Sequence, residues 1–291
     1  MMLADHYGPN RFGLSFELFP PKTPEGDAAL LRHVEKLKQF DPAFFTCTYG
    51  AGGSTRDKTL EVVQQVKELY KTPVASHLTC VGATVDELRD YLTTAAQRSI
   101  DYVVALRGDP PSGQTEFVAT KGGLRYANEL VSLVRAEFPD FGIAVAGYPE
   151  VHQEAPSADI DLENLKRKVD CGADIVITQL FYNNSDFFEF RDRYEKAGIK
   201  APLVPGILPV TNLKQIQRIT DLCAAKLPAG FVARLGESAD AQWQAEIGIE
   251  QASSQVNELL ATGVSGLHFY VLNKSRATSR VLANVDLPSR V

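Results

Sequence analysis

No apolar run in the 291-residue sequence approaches the ~20 residues needed to cross a bilayer. The polar opening, residues 1–11, lacks the apolar core of a secretory signal. No C-x-x-C pair occurs: Cys47, Cys80, Cys171 and Cys223 stand far apart, which argues against a zinc knuckle or redox dithiol and for free thiols in a reducing compartment. No basic block offsets the net charge of −6, so a nucleic-acid partner is not expected. No G-x-G-x-x-G follows a strand-like run, which excludes a Rossmann nucleotide site. The stretch Gly50-Ala51-Gly52-Gly53-Ser54 lacks the Gly-Lys-Ser/Thr ending of a P-loop and reads as a turn that lets backbone approach a ligand. His77 and His152 have no H-x-H or H-E-x-x-H around them, so no metal site is expected even with Asp109 as a third ligand. These absences leave a soluble, cytoplasmic protein with no membrane partner as the expectation.

What is present is alternation. Apolar, β-rich runs at 13–19, 44–48, 74–80, 102–107, 142–147, 175–179, 203–205 and 266–271 are separated by amphipathic stretches such as 28–40, 56–70, 85–98 and 162–170. Eight strands, each followed by helical sequence, predict an α/β fold of the (β/α)8 TIM-barrel type. A doubly wound open sheet is the alternative. Between 227 and 263 two helical patterns follow one another with no strand between them, which predicts an extra helix before the last strand. With 44% hydrophobic residues and no repeat, linker or low-complexity segment, residues 1–291 are expected to form a single catalytic domain.

In such a barrel, chemistry collects where strands end at the C-terminal mouth. The first strand reads Leu14-Ser15-Phe16-Glu17-Leu18-Phe19 and stops at Pro20-Pro21. Period-two alternation turns Ser15, Glu17 and Phe19 to one face, so Glu17 points into the barrel near its mouth. Burial there is expected to raise its pKa, as a proton donor requires. The competing reading is a carboxylate paired with an interior Arg or Lys. The other strand ends are equally polar: Thr48-Tyr49, His77, Arg107-Gly108-Asp109, Tyr148 through His152, and Thr178-Gln179.

At these positions the sequence resembles the methylenetetrahydrofolate reductase family in its short bacterial form. The matching stretches begin with Phe16-Glu17-Leu18-Phe19-Pro20-Pro21-Lys22, Thr48-Tyr49-Gly50-Ala51, His77-Leu78-Thr79-Cys80 and Arg107-Gly108-Asp109. They continue through Ala146-Gly147-Tyr148-Pro149-Glu150-Val151-His152, the run from Leu165-Lys166-Arg167-Lys168 to Ala173, and Ile177-Thr178-Gln179-Leu180-Phe181-Tyr182. Pro205-Gly206-Ile207-Leu208-Pro209 and His268-Phe269-Tyr270-Val271-Leu272-Asn273 complete the set. The set is collinear and covers the chain from residue 16 to about 274.

The resemblance implies a barrel that holds FAD at its mouth and is reduced by NADH or NADPH. Cofactor contacts carried over by motif are Thr48, Tyr49, Ala51, His77, Arg107, Gly108, Asp109, Tyr126, Ala127, Tyr148, His152, Ala155, Asp161, Asn164, Arg167 and Lys168. Arg167 and Lys168 offer the guanidinium and ammonium groups that suit a pyrophosphate; without the resemblance they would read as a solvated helix face. Catalytic roles fall to Glu17, as the acid that protonates the departing folate nitrogen, and to Asp109, whose charge opposes anionic reduced flavin. Folate contacts would come from Glu17, Thr48, Asp109, Gln179, Gln215 and Lys274. A homo-oligomer is a further expectation, as is the absence of the C-terminal regulatory domain of the eukaryotic enzymes.

Two residues depart from the pattern. Lys274 stands where many relatives have Arg and gives up the bidentate fork. Ile219 stands where some relatives place an aromatic ring. The rival readings are a proline-oxidising flavin barrel, a metal-dependent hydrolase and a non-catalytic binding barrel.

Overall fold

The computed structural model describes residues 2–8, 10–49, 55–110 and 117–288. The parallel strands are β1 (Gly13–Leu18), β2 (Phe44–Cys47), β3 (Val74–Thr79), β4 (Tyr102–Leu106), β5 (Gly142–Gly147), β6 (Ile175–Thr178), β7 (Leu203–Val204), β8 (Gly206–Ile207) and β9 (Gly266–Tyr270). Their order is β7-β6-β5-β4-β3-β2-β1-β9-β8. Because β7 and β8 are consecutive in the chain, the two ends of this order meet and the sheet closes.

The closure is a single barrel strand, split at Pro205, that extends past the expected run 203–205 into Gly206–Ile207. Proline has no N–H to give a ladder. The first half therefore pairs with β6 (Val176 with Leu203, Ile177 with Val204). The second half pairs with β9 (Gly206 with His268, Ile207 with Phe269). The Pro205 carbonyl still accepts from the His268 N–H at 3.0 Å. Gly206 donates its N–H to Thr178 Oγ1 at 2.9 Å, and a Cβ at this glycine would lie 2.3 Å from the Thr178 carbonyl oxygen.

Around the sheet run α1 (Pro24–Lys38), α2 (Arg56–Tyr70), α3 (Val85–Gln97), α4 (Ala127–Glu137), α5 (Ala158–Asp170) and α6 (Asn184–Lys196), then α7 (Leu213–Cys223), α8 (Ala229–Gly236), α9 (Ala241–Ala261) and α10 (Ser275–Ala283). The two helical patterns between 227 and 263 are α8 and α9, so three helices separate the split strand from β9. Starts are set by local chemistry, each cap stabilising its helix by ~1 kcal/mol. Thr23 accepts from Gly26 N ahead of Pro24 in α1, Thr84 and Glu87 form a capping box on α3, and Ser157 caps α5. Among the described residues no helix is long and apolar enough to cross a membrane.

Alternation along the strands creates two separate cores. Leu14, Phe16 and Leu18 of β1 face outward and pack with Leu30, Val34 and Leu37 of α1 in the layer between sheet and helices. Inside the barrel a second cluster joins Phe44, Ala75, Tyr102, Val104, Ala144, Ile175, Ile177 and Val204. A short 3-10 turn, Leu3–His6, closes the lower end. Leu3 and Tyr7 insert into that cluster, and His6 Nε2 meets Tyr102 Oη at 2.9 Å.

Candidate active site

Above the apolar cluster the barrel interior becomes polar and opens into a cavity of about 530 Å³ at the C-terminal mouth. That volume lies in the range of small-molecule sites. At its floor lies Glu17, 7% exposed. Its Oε2 stands 3.3 Å from His77 Nε2 and 3.7 Å from His268 Nε2. His268 Nδ1 in turn shares a 2.8 Å hydrogen bond with Ser15 Oγ, which is fully buried. Register explains the cluster: Ser15 lies opposite His268 and Glu17 opposite Tyr270 in the β1–β9 pair. Alternation turns all four to the barrel interior.

This overturns the expected charge state of Glu17. Burial does push its carboxyl upward, but hydrogen bonding by His268 and His77, together with their charges, holds it down to about 2. The interior partner is a pair of imidazoles, not the Arg or Lys of the competing sequence reading.

Round the rim the structure brings together half of the residues anticipated from sequence. Thr48, Tyr49, His77, Arg107, Gly108 and Asp109 line the cavity from β2, β3 and β4. Tyr148, His152 and Gln179 complete the arc from β5 and β6. Gly108 has φ +86°, and a Cβ there would lie 2.6 Å from Val81 Cγ1, so only glycine lets the backbone follow this course. The Tyr148 and His152 rings meet edge-on at 4.7 Å. Asp161, in the first turn of α5, accepts from His152 N at 3.1 Å. Gln179 spends its Oε1 on the N–H of Leu180 at 2.9 Å.

Other anticipated residues lie off the cavity lining. Tyr126 and Ala127 sit at the start of α4 and Ala155 in the loop before α5. Arg167 and Lys168 are neighbours in sequence but diverge by the ~100° of one helical step. Lys168 turns inward to donate to the Ala146 carbonyl at 2.6 Å, and burial lowers its pKa to about 8. Arg167 faces solvent, with Asn164 Oδ1 accepting from it at 3.1 Å and Glu163 3.7 Å away. Gln215 and Lys274 are exposed at the starts of α7 and α10. Ala51 lies outside the described residues.

Several wall residues are not among the candidate site residues read from the sequence, although Ile219 stands out there as a departure from the family pattern. His268 and Tyr270 carry the same period-two signal that picked out Glu17. Tyr270 Oη donates to the Thr178 carbonyl at 2.7 Å. Ile219 and Leu222 of α7 and Leu272 after β9 form an apolar wall. Leu222 is 70% exposed, a feature that helix periodicity alone would assign to solvent.

A closed parallel barrel with carboxylates, imidazoles and amides converging at its C-terminal mouth defines a TIM-barrel protein of enzyme type. The methylenetetrahydrofolate reductase family model matches residues 3–286, and the chain belongs to that family. It is 41% identical to the 5,10-methylenetetrahydrofolate reductase of Escherichia coli over 268 residues, covering 91% of this chain and 88% of that one. It is 40% identical to methylenetetrahydrofolate reductase (NADH) 1 of Zea mays over 291 residues, covering 96% of this chain. The chain spans about half (49%) of the length of that plant relative. Among solved structures, a protein from Clostridium thermocellum described as binding two copies of 5-methyl-5,6,7,8-tetrahydrofolic acid shares the fold, with TM-score 0.65 at 17% identity and 94% coverage of both chains.

Proposed function

We propose that the chain reduces 5,10-methylenetetrahydrofolate to 5-methyltetrahydrofolate with NADH or NADPH, through FAD held at the barrel mouth. The observation that carries this reading is the convergence of Glu17, its two imidazoles, Asp109 and Gln179 on one cavity in a chain of this family. Family membership favours it over the proline-oxidising and metal-hydrolase readings.

The residues present suit a flavin dinucleotide. The cavity has room for a flat ring system, Gly108 allows close backbone approach, and Thr48, Tyr49, His77, Tyr148 and His152 supply polar groups around it, with Arg107 at the rim. Lys168 is enclosed behind β5, so it would act by fixing the Ala146 edge of the wall. Bound FAD would accept hydride from the nicotinamide and supply it to the one-carbon bridge of the folate.

The chain's own residues would do the rest. Opening the folate five-membered ring leaves a nitrogen that must take a proton, and the Glu17–His77–His268 cluster is the proton source within the cavity. With its pKa held down in the ligand-free protein, Glu17 would pass to the departing nitrogen a proton taken up from solvent through the open mouth, while His77 and His268 orient its carboxyl. Ser15 fixes the ring of His268 by holding Nδ1. The negative charge of Asp109 would stabilise the cationic iminium on the folate. Gln179, its Oε1 already held by Leu180, presents its amide N–H groups to the pterin.

The test is an anaerobic visible spectrum of the purified protein. A flavin spectrum that NADH bleaches and methylenetetrahydrofolate restores is the expected result. A colourless protein that takes up no added FAD would overturn the reading.

A further inference from the structure

Arg107 follows β4 directly, and all three of its guanidinium nitrogens are engaged. Nη1 and Nη2 donate to the two carboxylate oxygens of Glu154 at 2.5 and 2.7 Å. Nε donates to the Gly108 carbonyl at 3.2 Å. The guanidinium lies over the Phe117 ring, 4.9 Å from its centroid. A bidentate pair of this kind fixes orientation as well as charge. With side chains 20% and 42% exposed it stands at the cavity rim, neither buried nor free in solvent.

Glu154 is delivered by a turn that is itself over-determined. Val151 adopts φ +71°, an uncommon conformation for a β-branched residue. Val151 N donates to Tyr148 O at 3.2 Å, and Ala155 N to His152 O at 2.8 Å. Glu154 N donates to His152 Nδ1 at 3.1 Å, while Asp161 holds His152 N. Such a turn places a carboxylate; it does not swing one in and out.

The pair also settles the charge at this edge. Arg107 is two residues from Asp109, and a free guanidinium there would cancel much of the aspartate's field. Among the described residues Asp109 has no ion-pair partner, and Arg107 is taken by Glu154. The structure assigns Glu154 as a positioning residue that neutralises Arg107 and locks it against Gly108, leaving Asp109 as the uncompensated charge facing the flavin. This rests on the flavin reading above. Its consequence is redox: an uncompensated carboxylate disfavours anionic reduced flavin and makes it a stronger hydride donor, whereas an uncompensated guanidinium does the reverse.

The test is the midpoint potential of bound FAD, by equilibration with a reference dye, in wild type, E154Q, E154D, R107Q and the E154Q/R107Q double variant. E154Q is expected to raise the reduced-to-oxidised ratio about tenfold at fixed dye potential, which is ~30 mV for a two-electron couple. R107Q is expected to shift it the opposite way, and the double variant to return towards wild type. E154D, which keeps the charge, is expected to stay nearer wild type than E154Q. An unchanged potential in E154Q, or a double variant displaced as far as E154Q, overturns the assignment. Loss of FAD by a folded E154Q overturns it too, making Glu154 a determinant of binding. If wild type itself takes up no FAD, it is the proposed function that fails, so the two failures are told apart by the first sample.

Discussion

The lower and upper halves of the barrel interior are made from the same strands by the same alternation, yet they are opposite in character. Below, Phe44, Tyr102, Val104, Ile175, Ile177 and Val204 close on Leu3 and Tyr7 in a dry cluster. Above, inward positions one or two steps further along hold Glu17, His77, His268 and Tyr270 beside a cavity. The polar half would be costly without partners, since a buried charge must be paired or hydrogen-bonded. Here the two imidazoles provide that pairing for Glu17. The division teaches that the lower half can supply stability without regard to chemistry, which leaves the upper half free to hold groups that packing alone would not select.

The comparison can be broken from either side. Phe44→Ala, which empties a fully buried ring position in the lower cluster, is expected to cost ~3–5 kcal/mol of stability. FAD affinity of the folded fraction should be little changed; chemical denaturation and flavin titration check the two halves of that statement. A large loss of flavin affinity at retained stability would show that the halves are not separable.

Glu17 is expected to contribute stability at neutral pH through its depressed pKa. The sign follows from linkage: its folded value of about 2 lies below the ordinary 4.5, so the contribution is fully present above 4.5 and is lost as pH falls through about 2. At 1.36 kcal/mol per pKa unit, Glu17→Gln should lose on the order of 3 kcal/mol at pH 7. That difference should close in the acid window, as read from denaturation midpoints at successive pH values. A deficit that stays constant with pH would assign the loss to packing.

Smaller effects belong to the rim. Asp109→Asn is expected to raise the flavin potential and slow folate reduction about tenfold, equivalent to ~1.4 kcal/mol; an unchanged potential removes its electrostatic role. Leu222→Ser, on the exposed apolar wall, should alter stability by no more than ~0.5 kcal/mol. A larger loss by thermal unfolding would mean that α7 is packed more tightly than its exposure indicates.

Much of this division was legible in the sequence, because period-two and helical patterns are local. Alternation put Glu17 on the inner face, and the helical patterns at 56–70 and 85–98 match α2 and α3 to within a residue. What was not legible depended on distant partners. The ionisation of Glu17 is set by His268, from the far end of the chain, which β-sheet closure brings alongside β1. Pro205 is visible in the sequence, but that the halves on either side of it pair with different neighbours is not encoded in any local pattern. Arg167 and Lys168 were read as a pair because they are adjacent, whereas helical geometry sends one to solvent and the other behind β5. The Arg107–Glu154 pair joins the loops after two neighbouring strands, so the sequence held its members without their relation.

The most direct test of the account is anaerobic stopped-flow kinetics of Glu17→Gln, with the two half-reactions followed separately at the flavin absorbance. If the upper half of the barrel carries its proton on the Glu17 cluster, reduction by NADH stays near wild type while reoxidation by methylenetetrahydrofolate slows by ~10²–10⁴. Equal slowing of both half-reactions would make Glu17 a positioning group for the flavin, and an unaffected reoxidation would place the acid elsewhere.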